Sequence, residues 1–189
     1  MIEQHKLVLA SGSPRRKELL SQLGYEFSVL ITDIEEVKQD QELPEEYVKR
    51  LSLEKAMAGL ALSESDAVVL GSDTVVVSQG KVLEKPKDFD DSKRMLEQLS
   101  NSQHQVMTAV SVVTGEKQKT DVVITDVWFK PLSEKEIEQY WQSGEPCDKA
   151  GSYGIQGLGG RFVTRVEGSF YAVVGLPLFE TDQLLQEFL

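Results

Sequence analysis

The sequence predicts an α/β fold: a mixed twisted sheet flanked by helices, with two lobes around a cleft. Three observations carry that reading. Short apolar runs of strand length alternate with stretches of helical period. The alternation lacks strict strand–helix–strand regularity, and glycine-containing turns join some strands directly, which favours a mixed over an all-parallel sheet. No linker-like or low-complexity stretch divides the 189 residues, and no repeat is present, so residues 1–189 read as one domain.

Element by element, Lys6-Leu7-Val8-Leu9-Ala10 reads as a short buried strand, followed by a small-residue turn. A helix then runs from about Pro14 to Leu23 and closes at Gly24. A second helix spans about Pro44 to Leu62, with proline in its first turn. Ala67 to Val77 and Lys81 to Leu83 form a hairpin turning at Ser78-Gln79-Gly80. Asp90 to Leu99 is helical, and Val106–Val113 with Asp121–Phe129 is a strand pair around Thr114-Gly115. The helix at Ser133–Ser143 carries a capping box, Ser133 with Glu136. A glycine-rich stretch follows, then strands Arg161–Val166 and Phe170–Val174, and a final helix over Leu178 to Leu189.

Composition narrows the function. A hydrophobic fraction of 40% and a charged fraction of 27% are those of a globular protein. Cys147 stands alone, which excludes an intramolecular disulfide and a cysteine-based zinc site. No apolar run approaches the ~18 residues of a membrane span, and the N-terminus does not read as a signal peptide, so a cytoplasmic protein is expected. With 20 basic and 31 acidic residues the net charge is −11, the wrong sign for a partner such as nucleic acid or an anionic membrane. A small anion remains possible where local bases line a site.

Four segments break local rules. In Ser11-Gly12-Ser13-Pro14-Arg15-Arg16-Lys17, Ser13 suits an N-cap and Pro14 the first helical position. Three cations then fill a helix turn whose dipole is already positive, at roughly 0.3–1 kcal/mol each. A phosphate held by Arg15, Arg16 and the Ser11–Ser13 turn would compensate; a solvated basic patch is the equal alternative. In Gly71-Ser72-Asp73-Thr74, a carboxylate interrupts an apolar strand, which is expensive unless it is paired or metal-bound. Asp73 at a strand bulge, able to hold a metal or deprotonate a water, outweighs Asp73 in an exposed turn.

Lys55 falls on the apolar stripe of Val48, Leu51, Ala58 and Leu62, where it either snorkels to the rim, the commoner case, or reaches a phosphate. Lys85 is placed to do the same from the end of the hairpin. Finally, Gly151-Ser152-Tyr153-Gly154-Ile155-Gln156-Gly157-Leu158-Gly159-Gly160 is too apolar for a linker and too rich in glycine for a regular element, as befits a wall of a ligand site. Gln156 offers a donor and an acceptor, which suits a nucleobase edge. Glu35 and Glu36 are spare carboxylates for a metal, though paired acids usually form a solvated face.

Together, Leu9–Leu20, Gly71–Val75, Glu84-Lys85-Pro86, Asp148–Gly157 and Val174-Gly175-Leu176-Pro177 resemble the Maf family of nucleoside triphosphate pyrophosphatases. The similarity runs from Lys6 to the C-terminus. It implies a fold like that of inosine triphosphate pyrophosphatase. Arg15-Arg16, Thr74 and Tyr153–Gly157 match the branch acting on dTTP and UTP; Asn101 departs from it, standing where a glycine is usual.

The resemblance implies a nucleotide diphosphatase that releases pyrophosphate and the monophosphate, also from modified pyrimidine nucleotides. It makes Asp73 the proton acceptor, and Arg15, Thr74 and Gln156 the specificity positions. Ser11, Arg16, Lys55 and Lys85 would join in binding substrate, with Glu36 and Asp73 holding Mg²⁺ or Mn²⁺. It further implies a homodimer, and a role in nucleotide-pool cleaning and cell-division arrest. The rival is a nucleotide-binding regulator of septum formation that hydrolyses nothing. Asp73 separates the two, because pure binding gains nothing from a carboxylate beside a polyanion.

Overall fold

The computed structural model describes residues 7–189. Lys6, the expected start of the first strand, lies outside them. Seven strands form one mixed sheet: β1 (Leu7–Leu9), β2 (Ser28–Val29), β3 (Val68–Ser78), β4 (Lys81–Leu83), β5 (Gln103–Val113), β6 (Gln118–Phe129) and β7 (Val163–Glu167). The order is β2-β1-β3-β5-β6-β7, with β4 paired to β3. β1 is parallel to β2 and β3, whereas β3–β4 and β6–β7 are antiparallel. The expected hairpin turns at Gln79 and Gly80, both at positive φ.

Helices α1 (Pro14–Gln22), α2 (Pro44–Ala61), α3 (Phe89–Leu99), α4 (Glu134–Gln142), α5 (Phe170–Val174) and α6 (Leu178–Phe188) complete the fold. Their starts follow the sequence. Ser13 caps α1 by accepting the Arg16 N–H at 3.3 Å, and Ser133 caps α4 by accepting that of Glu136 at 3.2 Å. Asn101 takes φ +52°, a left-handed conformation that asparagine tolerates better than most residues. The expected strand at Phe170–Val174 is instead helix α5. Ser169 decides this: its N–H donates to Thr125 Oγ1 at 3.1 Å, and its hydroxyl accepts the Ala172 N–H at 3.1 Å. A short apolar run fits either state, and the cap selects the helix.

The chain forms two compact units, with β3, β5 and β6 contributing to both. The first comprises the described residues up to Asp73, Thr108–Val123 and Gly175–Leu189. Its core includes Val8, Ala10, Ala56, Val69 and Val113. The second, Thr74–Met107 and Ile124–Val174, packs Met95, Leu96, Leu99, Phe129, Tyr140 and Phe162 around β5 and β6.

The second unit also buries an imidazole. His104 lies edge-on to Phe129 and Tyr153, with Nε2 2.7 Å from the Tyr153 hydroxyl. Burial pushes its pKa down to about 4. The fold therefore binds this proton less tightly than the unfolded chain, so stability is full above about pH 6.5 and declines as the pH falls toward 4. Between pH 7 and 5 His104 should account for a loss of about 2 kcal/mol. Urea unfolding at both pH values checks this, because His104→Phe should lose that much less than the wild type.

Candidate active site

The first unit buries an ionisable carboxylate in the middle of its sheet. Asp73 lies within β3, 7% exposed, with apolar strand residues on both sides, so the exposed-turn alternative is excluded. Lys55 answers its charge. The ammonium sits 2.8 Å from Asp73 Oδ1 and 2.6 Å from Glu36 Oε1, so one cation joins two carboxylates. Of the two candidate acids, Glu36 is therefore the one brought to Asp73.

The approach of α2 to β3 makes this contact possible. A Cβ on Gly71 would stand 2.5 Å from the Ser52 carbonyl and 2.7 Å from the Ala56 nitrogen, so only glycine admits the helix at this depth. The buried face of α2 is Tyr47, Val48, Leu51, Ser52, Ala56 and Gly59. Leu62, expected on the apolar stripe, is 68% exposed, because the small residues Ala56 and Gly59 form the seam. Lys55 flanks that seam, half-buried, and its ammonium ends on carboxylates rather than at a solvent-facing rim.

Arg16 brings the second cation. Its Nε donates to the Gly175 carbonyl at 2.8 Å, and the same carbonyl accepts the Ser72 hydroxyl at 3.1 Å. Burial of the guanidinium lowers its pKa, Asp73 opposes this, Arg15 adds repulsion and Glu36 attraction. An arginine stays charged under such pressures. Burial likewise raises the Asp73 pKa above its ordinary value, against the pull of Lys55 and Arg16, and Glu36 adds to the rise. Arg15 is half-buried in the same helical turn. Ser11 is buried, and its hydroxyl accepts the Ser13 N–H at 3.1 Å, shaping the turn that enters α1.

Sequence reasoning missed the residues that hold Glu36 in place. Arg50 donates to both Glu42 carboxylate oxygens at 2.7 and 2.9 Å, to Glu54 at 3.1 Å and to the Val37 carbonyl at 2.8 Å. The Tyr47 hydroxyl donates to the Glu36 carbonyl at 3.3 Å. The loop after Ile34 is thus fastened to α2 at Tyr47 and Arg50, within about two turns of Lys55. Nothing in the spacing of Arg50 marks it for this. Gly175 was visible only as part of the Val174–Pro177 motif.

These donors suit a hard divalent cation. Asp73 Oδ2 is buried and accepts no hydrogen bond from the described residues, and the Glu36 carboxylate shares the Asp73 counter-ion. Among the described residues no cluster of three or more His, Cys, Asp or Glu could hold a metal alone. Two carboxylates completed by water and phosphate oxygens match the way Mg²⁺ is usually held.

The remaining expected residues belong to the second unit. Thr74 follows Asp73 on β3 and is half-buried; Lys85 is exposed just beyond β4; Gln156 is exposed on the glycine-rich loop. Tyr153, at the loop's start, is buried against His104.

Known proteins give these positions a context. The Vibrio parahaemolyticus dTTP/UTP pyrophosphatase is 75% identical over 183 residues, 97% of each chain. That of Vibrio cholerae is 67% identical over 183 residues, covering 97% of this chain and 98% of its own. Among solved structures, the Staphylococcus aureus Ham1 protein covers 66% of this chain and 71% of its own at 14% identity and a TM-score of 0.49, too low to decide fold or activity. The family model described as Maf-like protein matches residues 6–188, and the chain belongs to the Maf family.

Proposed function

We propose that this protein hydrolyses dTTP and UTP, and modified pyrimidine nucleotides of the same shape, to the monophosphate and pyrophosphate. The observation that carries the reading is the Asp73 carboxylate. It is buried beside Lys55 and Arg16, it has an oxygen with no hydrogen-bond partner among the described residues, and its pKa is raised toward the working range of a general base. A site built only to bind a polyanion would gain nothing from that carboxylate. Relatives 67–75% identical over nearly their whole length, named dTTP/UTP pyrophosphatases, support the substrate assignment.

In this reading Asp73 takes the proton of the water that attacks the α-phosphorus. Arg15 and Arg16, with Ser11 shaping the turn before them, grip phosphate oxygens; Lys55 and Lys85 hold the β and γ phosphates. Thr74 and Gln156 read the base. Glu36 and Asp73 would hold Mg²⁺ or Mn²⁺, which when bound neutralises charge on the phosphates and the leaving group. A homodimer in the cytoplasm, cleaning the nucleotide pool and linked to division arrest, completes the proposal. Among the described residues no helix is long and apolar enough to cross a membrane.

Asp73→Asn keeps the shape and removes the base. The turnover of dTTP should fall by at least about 10²-fold with KM nearly unchanged; near-normal pyrophosphate release would sink the assignment. Arg50→Ala should free the loop that carries Glu36. It should raise the Mg²⁺ concentration for half-maximal rate about tenfold, the equivalent of one lost charge-assisted contact, and an unchanged Mg²⁺ titration would return Arg50 to a structural role. The Gln156 amide can meet both the N3–H and O4 of thymine or uracil. Gln156→Glu cannot donate when ionised, so kcat/KM for dTTP should fall while that for GTP rises; an unaltered dTTP preference would place base recognition elsewhere.

A further inference from the structure

The loop that carries Gln156 is wrapped around one carboxylate. Glu145 accepts the Leu158 N–H at 2.8 Å through Oε1 and the Gly159 N–H at 2.9 Å through Oε2, and the Tyr140 hydroxyl donates to Oε2. The Tyr140 oxygen in turn accepts the Gly154 N–H at 3.0 Å. Backbone on both sides of Ile155-Gln156 is therefore fastened to a single carboxylate–phenol pair. A Cβ on Gly157 would stand 1.7 Å from Glu145 Oε1, so the glycine is there to let the chain pass over the carboxylate. Below the loop, Ile155 packs on the apolar core of the second unit, while Gln156 and the two residues after it are exposed at its tip.

Three donors converge on Glu145, and an ionised carboxylate is the side chain that accepts without donating. Burial by itself would raise its pKa, but the bonds from Tyr140, Gly159 and Leu158 and the charge of Lys149 hold it below the ordinary value. An amide at this position would turn an N–H₂ toward an N–H donor and lose at least one of the contacts.

We propose that Glu145 is a positioning residue for base discrimination: with Tyr140 it sets the backbone from which Gln156 presents its amide to the pyrimidine. The inference rests on the reading that Gln156 recognises the base. Glu145 touches neither phosphate nor reacting atoms in this role, so its loss should reach KM and selectivity before turnover.

The test measures kcat and KM for dTTP and CTP, and inhibition by inorganic tripolyphosphate, which has no base. Glu145→Gln should lower the dTTP-to-CTP ratio of kcat/KM about tenfold through KM, leaving kcat and tripolyphosphate inhibition within about twofold. Tyr140→Phe keeps the ring and removes the hydroxyl, and should lower the ratio about threefold; it carries the test alone if Glu145→Gln fails to fold. An unchanged ratio, or a fall in kcat and tripolyphosphate binding equal to the change in KM, overturns the proposal. Gln156→Ala runs in parallel. If it keeps the dTTP preference, base reading by Gln156 fails and the Glu145 role falls with it. If it loses the preference while the Glu145 and Tyr140 variants retain theirs, only the role of Glu145 is overturned.

Discussion

Keeping a carboxylate inside an apolar strand is the constraint from which the first unit follows. Asp73 needs a cation within hydrogen-bonding reach, because an uncompensated buried charge costs about 3–5 kcal/mol. Lys55 supplies it only if α2 lies close enough, which requires glycine at position 71. The second cation, Arg16, explains a helix start that is otherwise electrostatically perverse. Three positive charges in the first turn of α1 oppose the helix dipole, but one of them is turned toward Asp73 and tied to the Gly175 carbonyl. That carbonyl also accepts the Ser72 hydroxyl, one residue from Asp73. Segments from four separate stretches of sequence thus converge on a single charge.

What the sequence disclosed was expense. Asp73 in a strand, Lys55 on an apolar face and three cations at a helix start are each costly locally, and each cost is visible without a structure. Partners were not visible. The sequence places Lys55 at a rim or on a phosphate, and that its ammonium joins Asp73 to Glu36 is seen only in the fold. The choice of Glu36 over Glu35 depends on a loop fastened by Arg50 and Tyr47, contacts that no periodicity encodes. Helix α5 was hidden for a related reason. Five apolar residues fit a strand equally well, and the Ser169 cap works through Thr125, 44 residues away in sequence.

The second unit inverts the arrangement. There the backbone supplies the polar groups, and one side chain, Glu145, gathers them. Glycine admits a close neighbour, and at Gly157 that neighbour is the protein's own carboxylate, Glu145. A loop can therefore be rich in glycine without being slack, since its backbone donors are spent on Glu145 and Tyr140 and the side chains of Tyr153 and Ile155 on the core.

Charge balance joins the two halves of the proposed reading. Asp73 and Glu36 stand against Lys55 and Arg16, a cluster close to neutral as it is arranged, in a chain whose net charge is −11. Such a cluster offers a polyanion little net attraction, and with two of its three N–H donors on carboxylates the Lys55 ammonium has one left for a phosphate. For it to turn to the substrate, Asp73 and Glu36 must find another counter-charge, and a divalent cation with a preference for oxygen is the one their chemistry admits. In the proposed reading Lys55 would have two tasks: to bridge the two carboxylates, as it does here, and to hold phosphate once they are otherwise paired. The two expectations for this lysine, ion-pair partner and phosphate ligand, are in that account one residue in two charge states of its surroundings.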